Sequence, residues 1–231
     1  MKAMILCAGR GERMRPLTDT TPKPLLRVAG KPLLQYHLEN LVQAGVTEII
    51  VNHAWLGEQV QHFLGDGSQW GVSIHCSAED QALETAGGII KALPLLGDKP
   101  FIVVNGDVWS DYPFAQLLSV EPAQAHLVLV ANPQQHPQGD FALQVAADGA
   151  ELVVERGDNM YTYSGVGVFN PTLFDGFDVD SGSLAPILRR AMALQQVTGE
   201  LYLGDWVDVG TPERLKLLDE RVCKELRELG R

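Results

Sequence analysis

The chain has 231 residues, enough for one large α/β domain or two small ones with a sizeable core. Its net charge of -11 argues against nucleic acid or an anionic membrane as a partner. Hydrophobic residues make up 45% and charged residues 20%, which is typical of a soluble globular protein. No apolar run approaches the ~20 residues of a membrane span, and the first run is too short for a leader sequence. We therefore expect a cytoplasmic protein.

The cysteines and histidines show no metal-binding spacing. Cys7, Cys76 and Cys223 form no CxxC pair, so we expect buried thiols in a reducing compartment. The 6 histidines are scattered, without an HxH or HExxH pattern. This argues against the common zinc sites built from His and Cys.

Strand and helix signals alternate through the first half of the chain. Short apolar runs predict strands at 4–7, 48–52, 72–76, 101–105 and 126–130. Periodic apolar positions predict helices at 32–44, 56–64 and 85–93. Because the strands are apolar throughout rather than alternating, we predict a Rossmann-like α/β fold. Its mixed, mainly parallel sheet would be flanked by helices on both faces.

The second half is less regular and predicts a smaller β-rich lobe. Strands are expected at 141–145, 152–155, 163–169 and 206–210, with a helix at 184–194. Thr211 is a suitable N-cap and Pro212 a suitable first residue for a closing helix. No linker or internal repeat is visible, so we expect a single domain over residues 1–231.

A glycine-rich basic loop, residues 7–18, follows the first predicted strand and is completed by Pro22-Lys23-Pro24. Its glycines let the backbone approach a ligand, and its cations suit a triphosphate. Residues 10–31 hold a third of the chain's 18 Lys and Arg residues, namely Arg10, Arg13, Arg15, Lys23, Arg27 and Lys31. An anionic ligand would therefore meet locally positive charge. The alternative is a glycine-rich turn with solvated charges.

Two well-known phosphate loops do not fit this segment. A Walker A loop ends in Gly-Lys-Ser or Gly-Lys-Thr, which is absent here. A dinucleotide-binding fingerprint requires glycine where Met14 stands and an acid where His53 ends the second strand.

Two aspartates follow predicted strands. Asp107 comes after Val-Val-Asn-Gly and Asp208 after Trp-Val. Ligands of parallel α/β sheets bind beyond the carboxyl ends of the strands, where the glycine-rich basic loop also lies. Because Mg²⁺ takes one or two carboxylates plus phosphate oxygens, the pair suggests a magnesium site. The alternative for each residue is an ordinary turn or cap aspartate.

The segment from Glu79 to Gly88 is also unusual. Thr85 would cap a helix in which Gly87 and Gly88 follow almost at once. Each glycine inside a helix costs about 1 kcal/mol, so close packing of a base or sugar is an attractive explanation. The alternative is a helix start with poor helix formers.

Three separated segments resemble the signature of the sugar-1-phosphate nucleotidylyltransferase family. They are residues 9–18 with Pro22-Lys23-Pro24, residues 104–107 and residues 206–212. The resemblance covers almost the whole chain and implies the nucleotide-diphospho-sugar transferase fold, similar to GT-A. The left-handed β-helix of several relatives is not expected. Residues 52–56, 83–88 and 105–109 are most similar to the branch that acts on N-acetylmuramate 1-phosphate in bacterial cell-wall recycling.

The resemblance implies roles for the matching positions. Arg13 and Lys23 are the expected catalytic residues. Asp107 and Asp208 are the expected Mg²⁺ ligands. The expected sugar-phosphate-binding residues are Asn105, Asp140 and Glu155. The expected nucleotide-binding residues are Ala8, Gly9, Gly11, Glu12, Arg13, Lys23, Glu79, Glu84 and Gly88.

The resemblance also implies that different parts of the chain bind the two substrates. Residues 1–110, approximately, would bind the nucleotide, and about 111–210 the sugar phosphate, with a closing helix at 211–231. A sugar 1-phosphate oxygen would attack the α-phosphorus of a nucleoside triphosphate and release pyrophosphate. The phosphate is already ionised, so positioning and charge stabilisation suffice.

UTP and N-acetylmuramate 1-phosphate are the favoured substrates, and a monomer or small homo-oligomer is expected. Two alternatives remain open. One is a guanylyl- or thymidylyltransferase for mannose, heptose or glucose 1-phosphate. The other is a catalytically inactive regulatory protein that binds nucleotide sugars.

Overall fold

The computed structural model describes residues 1–147, 149–228 and 230. The strands in chain order are β1 (Lys2–Leu6), β2 (Arg27–Val28), β3 (Lys31–Pro32), β4 (Glu48–His53), β5 (Ser73–Ala78), β6 (Phe101–Asn105), β7 (Val108–Ser110), β8 (Ala125–Val130), β9 (Phe141–Val145), β10 (Glu151–Val154), β11 (Met160–Phe169), β12 (Val197–Tyr202) and β13 (Trp206–Asp208). The α-helices are α1 (Leu33–Ala44), α2 (Gly57–Leu64), α3 (Glu84–Leu96), α4 (Leu184–Ala193) and α5 (Pro212–Glu228).

A nine-stranded mixed sheet runs in the order β5-β4-β1-β6-β11-β8-β12-β10-β9. The strands β5, β4, β1 and β6 pair in parallel, and β8 pairs in parallel with β12. The antiparallel strand β11 separates these two parallel groups. The predicted mixed α/β sheet is confirmed.

Side chains at alternate positions of the central strands belong to two hydrophobic cores, one on each face of the sheet. Met4 and Ile50 pack on one face, where the core includes Ile89 of α3 and Ile187 of α4. On the other face, apolar residues of β1, β4 and β6 pack against α1 and α2. Burial on both faces explains why these strands are apolar at every position.

A third, smaller core lies around α5. Leu218 and Val222 of this helix pack with Trp109 of β7 and with Val209. The antiparallel ribbon of β7 and β13 lies beside this core and pairs Asp208 with Val108. The ribbon therefore brings the predicted element 206–210 next to the carboxyl end of β6.

Most element predictions agree with the structure within a few residues, but the short strands β2, β3 and β7 were not predicted. The strand β12 was not predicted, because Gly199 and Glu200 interrupt its apolar pattern; pairing with β8 and β10 stabilises it. The helix α3 begins at Glu84 and continues through Pro94. Thr85 therefore lies inside the helix rather than capping it, whereas Thr211 does accept from the Arg214 N–H at 3.3 Å.

No helix in the described ranges combines the length and apolar character needed to cross a bilayer.

Candidate active site

A cavity of about 570 Å³ opens at the carboxyl ends of β1 and β6. It is lined by most of the predicted nucleotide-binding residues: Ala8, Gly9, Gly11, Glu12, Arg13, Lys23 and Glu84. Asn105 and Asp107 line it from β6 and the turn that follows. The parallel half of the sheet thus gathers residues that are far apart in sequence, as the fold class predicts.

Gly11 shapes the glycine-rich basic loop. Its φ of 68° is left-handed, and a Cβ there would lie 3.0 Å from Thr18 Cγ2 and 3.2 Å from Lys23 Cβ. The Thr18 hydroxyl donates to the Gly11 carbonyl at 2.8 Å. Only glycine combines this conformation with such close packing, so the loop folds tightly over Lys23.

Lys23 is the buried cation of the larger cavity. Its side chain is 9% exposed and its Nζ donates to Asp107 Oδ2 at 2.6 Å. Pro22 and Pro24 restrict the backbone on both sides and so fix the direction of the side chain. The ammonium group therefore points to one place in the cavity.

Asp107 and Asp208 are brought together by the β7–β13 ribbon. The Val209 N–H donates to the Asp107 carbonyl at 2.9 Å. Asp208 Oδ2 accepts from Arg214 at 2.6 Å, and the two aspartate side chains are 39% and 27% exposed. Each carboxylate thus faces a cation and remains accessible to a ligand.

These two carboxylates fit the partial ligand set of a phosphate-bound magnesium ion. In the described part of the chain no group of three or more His, Cys, Asp or Glu residues could hold a metal. Magnesium usually takes one or two carboxylates and completes its octahedron with phosphate oxygens and water. A two-carboxylate site beside a triphosphate-sized cavity has the required chemistry.

His37 of α1 is buried against the β7–β13 ribbon and forms a hydrogen bond with the backbone of Val108. Burial lowers the pKa of this imidazole to about 4, partly opposed by a hydrogen bond to the Val108 backbone and by the charge of Asp107. Neutral at pH 7, His37 anchors the first residue of β7 without adding charge to the site.

A smaller cavity of about 260 Å³ adjoins the first. It shares Arg13, Asn105 and Asp107 with the larger one. Its other walls include Asp208, Trp206 and Thr162, with Gln135 and His136 from the loop after β8. The three shared residues mark the point where ligands in the two cavities would meet.

Arg13 is the exposed cation at this junction. Throughout the described ranges no acidic side chain pairs with it, unlike Lys23 and Arg214. Its guanidinium is therefore available to an anionic ligand in either cavity.

Four predicted site residues lie outside both cavities. Glu79 and Gly88 lie behind the larger cavity, where a Cβ on Gly88 would be 2.9 Å from Glu79 Oε1. Asp140 accepts from the Tyr163 N–H at 2.8 Å and contacts His136 Nε2 at 3.0 Å, so it orients a lining residue. Glu155 is exposed and pairs with Arg189 at 3.1 Å.

Several lining residues were not singled out from the sequence. Asn52 interrupts the apolar strand β4, and a buried polar residue there was a signal that could have found it. Trp206 lies in the signature segment 206–212, but no role was assigned to it. His136 and Thr162 carry no such pattern, because a loop and the distant strand β11 bring them to the cavity. Arg214 lines neither cavity but pairs with Asp208, and a lone arginine near the start of α5 gave no signal of that role.

Residues 2–224 match the model of a family described as nucleotidyl transferase. The chain belongs to the nucleotidyl transferase family. As a nucleotidyltransferase it is an enzyme, and the predicted family resemblance is confirmed. The glycine-rich basic loop, Asp107 and Asp208 all fall within the matched region.

Two curated relatives show how this nucleotidyltransferase compares with others. It is 55% identical over 223 residues to the N-acetylmuramate alpha-1-phosphate uridylyltransferase of Neisseria meningitidis serogroup B, covering 94% of this chain and 96% of the relative. It is 33% identical over 224 residues to the mannose-1-phosphate guanylyltransferase catalytic subunit beta of Drosophila pseudoobscura pseudoobscura, covering 92% of this chain but only 60% of that relative.

A solved structure shares the fold of this nucleotidyltransferase. It is a Bacillus anthracis protein described as a glucose-1-phosphate thymidylyltransferase, crystallised with sucrose. The TM-score is 0.83, with 96% of this chain and 95% of the other covered at 21% identity. At that identity the likeness concerns the fold alone, and it confirms the predicted nucleotide-diphospho-sugar transferase fold.

Proposed function

We propose that the enzyme transfers a uridylyl group from UTP to N-acetylmuramate 1-phosphate and releases pyrophosphate. The observation that carries the proposal is 55% identity, over almost the full length of both chains, to a relative named for that activity. The guanylyltransferase alternative is less favoured, because its relative shares 33% identity. The intact set of Arg13, Lys23, Asp107 and Asp208 supports turnover rather than a purely regulatory role.

The two adjoining cavities support this proposal. UTP would occupy the larger cavity, with its phosphates against the glycine-rich basic loop. The sugar 1-phosphate would occupy the smaller cavity. The acceptor phosphate and the α-phosphorus would then meet beside Arg13, Asn105 and Asp107, which line both cavities. On this proposal, residues of about 1–110 bind mainly the nucleotide and residues of about 111–210 mainly the sugar.

The chain's own residues need only position the two substrates and neutralise the negative charge of their phosphates. An oxygen of the acceptor phosphate forms a bond to the α-phosphorus while the bond between the α-phosphorus and its bridging oxygen to the β-phosphorus breaks. That oxygen leaves with pyrophosphate. Lys23 would offset the negative charge that grows on the α-phosphoryl oxygens. Arg13 would offset the negative charge of the substrate phosphates. Both cations act by fixed electrostatic stabilisation, since no proton or covalent intermediate is required.

Asp107 and Asp208 would hold a divalent metal, which we propose to be Mg²⁺. When bound, the ion supplies charge neutralisation and orientation of the phosphate oxygens. Lys23 and Arg214 would then shift from their carboxylate partners toward phosphate and solvent. We also propose that the enzyme acts in cell-wall sugar recycling in the cytoplasm, as a monomer or small homo-oligomer.

Pyrophosphate release over a matrix of substrates tests the proposal. UTP, CTP, GTP and dTTP are each combined with N-acetylmuramate, mannose and glucose 1-phosphates at saturating Mg²⁺. We expect the highest kcat/KM for UTP with N-acetylmuramate 1-phosphate. Faster turnover of GTP with mannose 1-phosphate would place the enzyme in the guanylyltransferase branch instead.

Glu84 is the residue we expect to favour uracil over cytosine. It lines the larger cavity at the start of α3 with a left-handed φ of 57°. Its carboxylate can accept from the uracil N3–H, whereas cytosine presents a lone pair there. Glutamine at this position can accept from the uracil N3–H or donate to the cytosine N3, so Glu84→Gln should reduce the UTP/CTP ratio of kcat/KM by about tenfold to a hundredfold. An unchanged ratio would exclude Glu84 from base recognition.

A further inference from the structure

A buried polar pair lies behind the larger cavity, where apolar packing would be expected. Asn52, in the buried strand β4, is 2% exposed, and Glu79, just after β5, is 6% exposed. Within the described residues no cation pairs with Glu79; its contacts are hydrogen bonds. A carboxylate buried among neutral donors costs free energy, so its retention calls for a reason.

Three hydrogen bonds form a relay through Asn52 and Glu79: one lies within the pair, and one joins each member to a backbone N–H. Asn52 Oδ1 accepts from the Cys7 N–H at 2.8 Å, and Asn52 Nδ2 donates to Glu79 Oε1 at 2.7 Å. Glu79 Oε2 accepts from the Leu83 N–H at 2.9 Å. Both outer partners can only donate, so the Asn52 amide and the Glu79 carboxylate each have a single satisfactory arrangement.

Each end of this relay reaches a different wall of the cavity. Cys7 opens the glycine-rich basic loop, where we place the triphosphate. Leu83 precedes Glu84 and Thr85, which line another part of the cavity. Gly88 packs against the middle of the relay, since a Cβ there would lie 2.7 Å from Asn52 Nδ2. The helix α3 thus approaches closely enough to hold the relay in place.

We propose that Asn52 and Glu79 are positioning residues that fix the distance between the triphosphate-binding and base-binding walls. Glu79 acts through Asn52 and through the Leu83 backbone rather than by touching the nucleotide. Displacing one wall by about 1 Å can cost roughly a hundredfold in rate, so a rigid link between the walls has catalytic value. The proposal rests on the proposed function, because it takes a nucleoside triphosphate as the ligand of this cavity.

Exchanging the two functional groups tests the relay. In Glu79→Gln an amide N–H₂ must face another donor, and reorienting Asn52 only moves the mismatch to Cys7. In Asn52→Asp two carboxylates face each other. In the double variant Asn52→Asp/Glu79→Gln every bond is restored, because the aspartate accepts from the glutamine amide and the glutamine carbonyl accepts from the Leu83 N–H.

The deciding quantity is the sign of the effect of Glu79→Gln. In the wild-type background it should lower kcat/KM for UTP by about tenfold or more. In the Asn52→Asp background it should raise kcat/KM for UTP, because the glutamine amide can donate to the aspartate where two carboxylates would otherwise face each other. Asn52→Asp by itself places a negative charge nearer the phosphates. Both proteins compared in that background carry this charge, so its effect cancels.

A positioning role also predicts which Michaelis constant changes. The KM for UTP should rise in both single variants, while the KM for the sugar phosphate should change less than twofold, roughly. Thr198→Val is a matched control, because it removes a partly buried hydrogen bond of 2.9 Å between Thr198 of β12 and His126 of β8. It should lower the melting temperature and leave both KM values unchanged.

Failure of the relay and failure of the proposed function are separable. If the wild type releases no pyrophosphate from UTP, the proposed function is wrong. The sign test is then read from the Kd of the nucleoside triphosphate that the wild type does bind, by calorimetry. The proposed positioning role is contradicted if Glu79→Gln weakens activity or binding in both the wild-type and the Asn52→Asp backgrounds. It is also contradicted if Glu79→Gln weakens them in neither background.

Discussion

Lys23 and Asp107 form a charged pair at 2.6 Å in the wall of the larger cavity. The two charges face the place where we put the α-phosphate. Lys23→Ala should lower kcat by roughly 10²–10³, with a smaller rise in KM, because the ammonium contributes mostly in the transition state. Steady-state pyrophosphate release checks this, and circular dichroism checks the fold.

Lys31→Ala is the matched control for this prediction. Lys31 belongs to the same basic stretch but pairs with Glu39 at 2.5 Å, outside both cavities. Its loss should leave kcat within about twofold, as for other exposed ion pairs. A near-normal kcat in Lys23→Ala would contradict the assigned role.

The two aspartates of the ribbon are expected to act as one unit. Asp107→Asn and Asp208→Asn should each abolish the activity that depends on Mg²⁺, and the double variant should be scarcely worse than either single one. Residues that share a metal ion are strongly non-additive. Activity is measured across a Mg²⁺ titration, with Asp205→Asn as control, since Asp205 adjoins β13 but pairs with Arg221 outside the smaller cavity. Multiplicative losses would mean that the aspartates serve separate sites.

At the scale of elements, the helix α1 and the β7–β13 ribbon are coupled through His37. Its pKa is about 4 in the folded protein because of burial, against 6.5 in the unfolded chain. The unfolded state therefore binds more protons between these values. The contribution of neutral His37 to the free energy of unfolding is fully present above pH 6.5 and is lost as the pH falls toward 4.

His37→Gln should flatten this pH dependence. Between the two pKa values the free energy of unfolding of the wild type should fall by up to about 1.4 kcal/mol per pH unit from this group. The slope should be reduced in His37→Gln and retained in His62→Gln, which changes an exposed residue of α2. Urea unfolding in metal-free buffer measures the slopes. Equal slopes in all three proteins would show that His37 is not the titrating group.

At the scale of the whole molecule, a chain of net charge -11 gathers positive charge around one cavity. Binding of a triphosphate should therefore stabilise the folded state markedly. At a UTP concentration of about 100 times Kd, the gain is about 2.7 kcal/mol, or roughly 5–11 °C in Tm for a chain of this size.

Differential scanning fluorimetry with UTP and Mg²⁺ measures this shift. Uridine at the same concentration lacks the phosphates and should raise Tm by less than about 2 °C. Omitting Mg²⁺ should reduce the shift produced by UTP. Equal shifts with uridine and UTP would mean that the basic cavity does not bind the triphosphate.

The features that depend on near neighbours in the chain could be predicted from the sequence. Gly11 between charged residues indicates a tight loop, and apolar strands separated by helices indicate the parallel half of the sheet. Thr211 followed by Pro212 marks the start of α5. Such signals are local, because the backbone geometry of a turn, a strand or a helix start is chosen by a few adjacent residues.

The arrangement of distant residues was decided only by the tertiary structure. Asp107 and Asp208 were each predicted, but their proximity depends on the pairing of β7 with β13. Glu79 resembled a ligand-binding acid, yet the structure turns it inward onto Asn52, because the pairing of β4 with β5 and the approach of α3 enclose it. Which side chains face a cavity and which face each other depends on packing between segments far apart in sequence, and no local pattern encodes that choice.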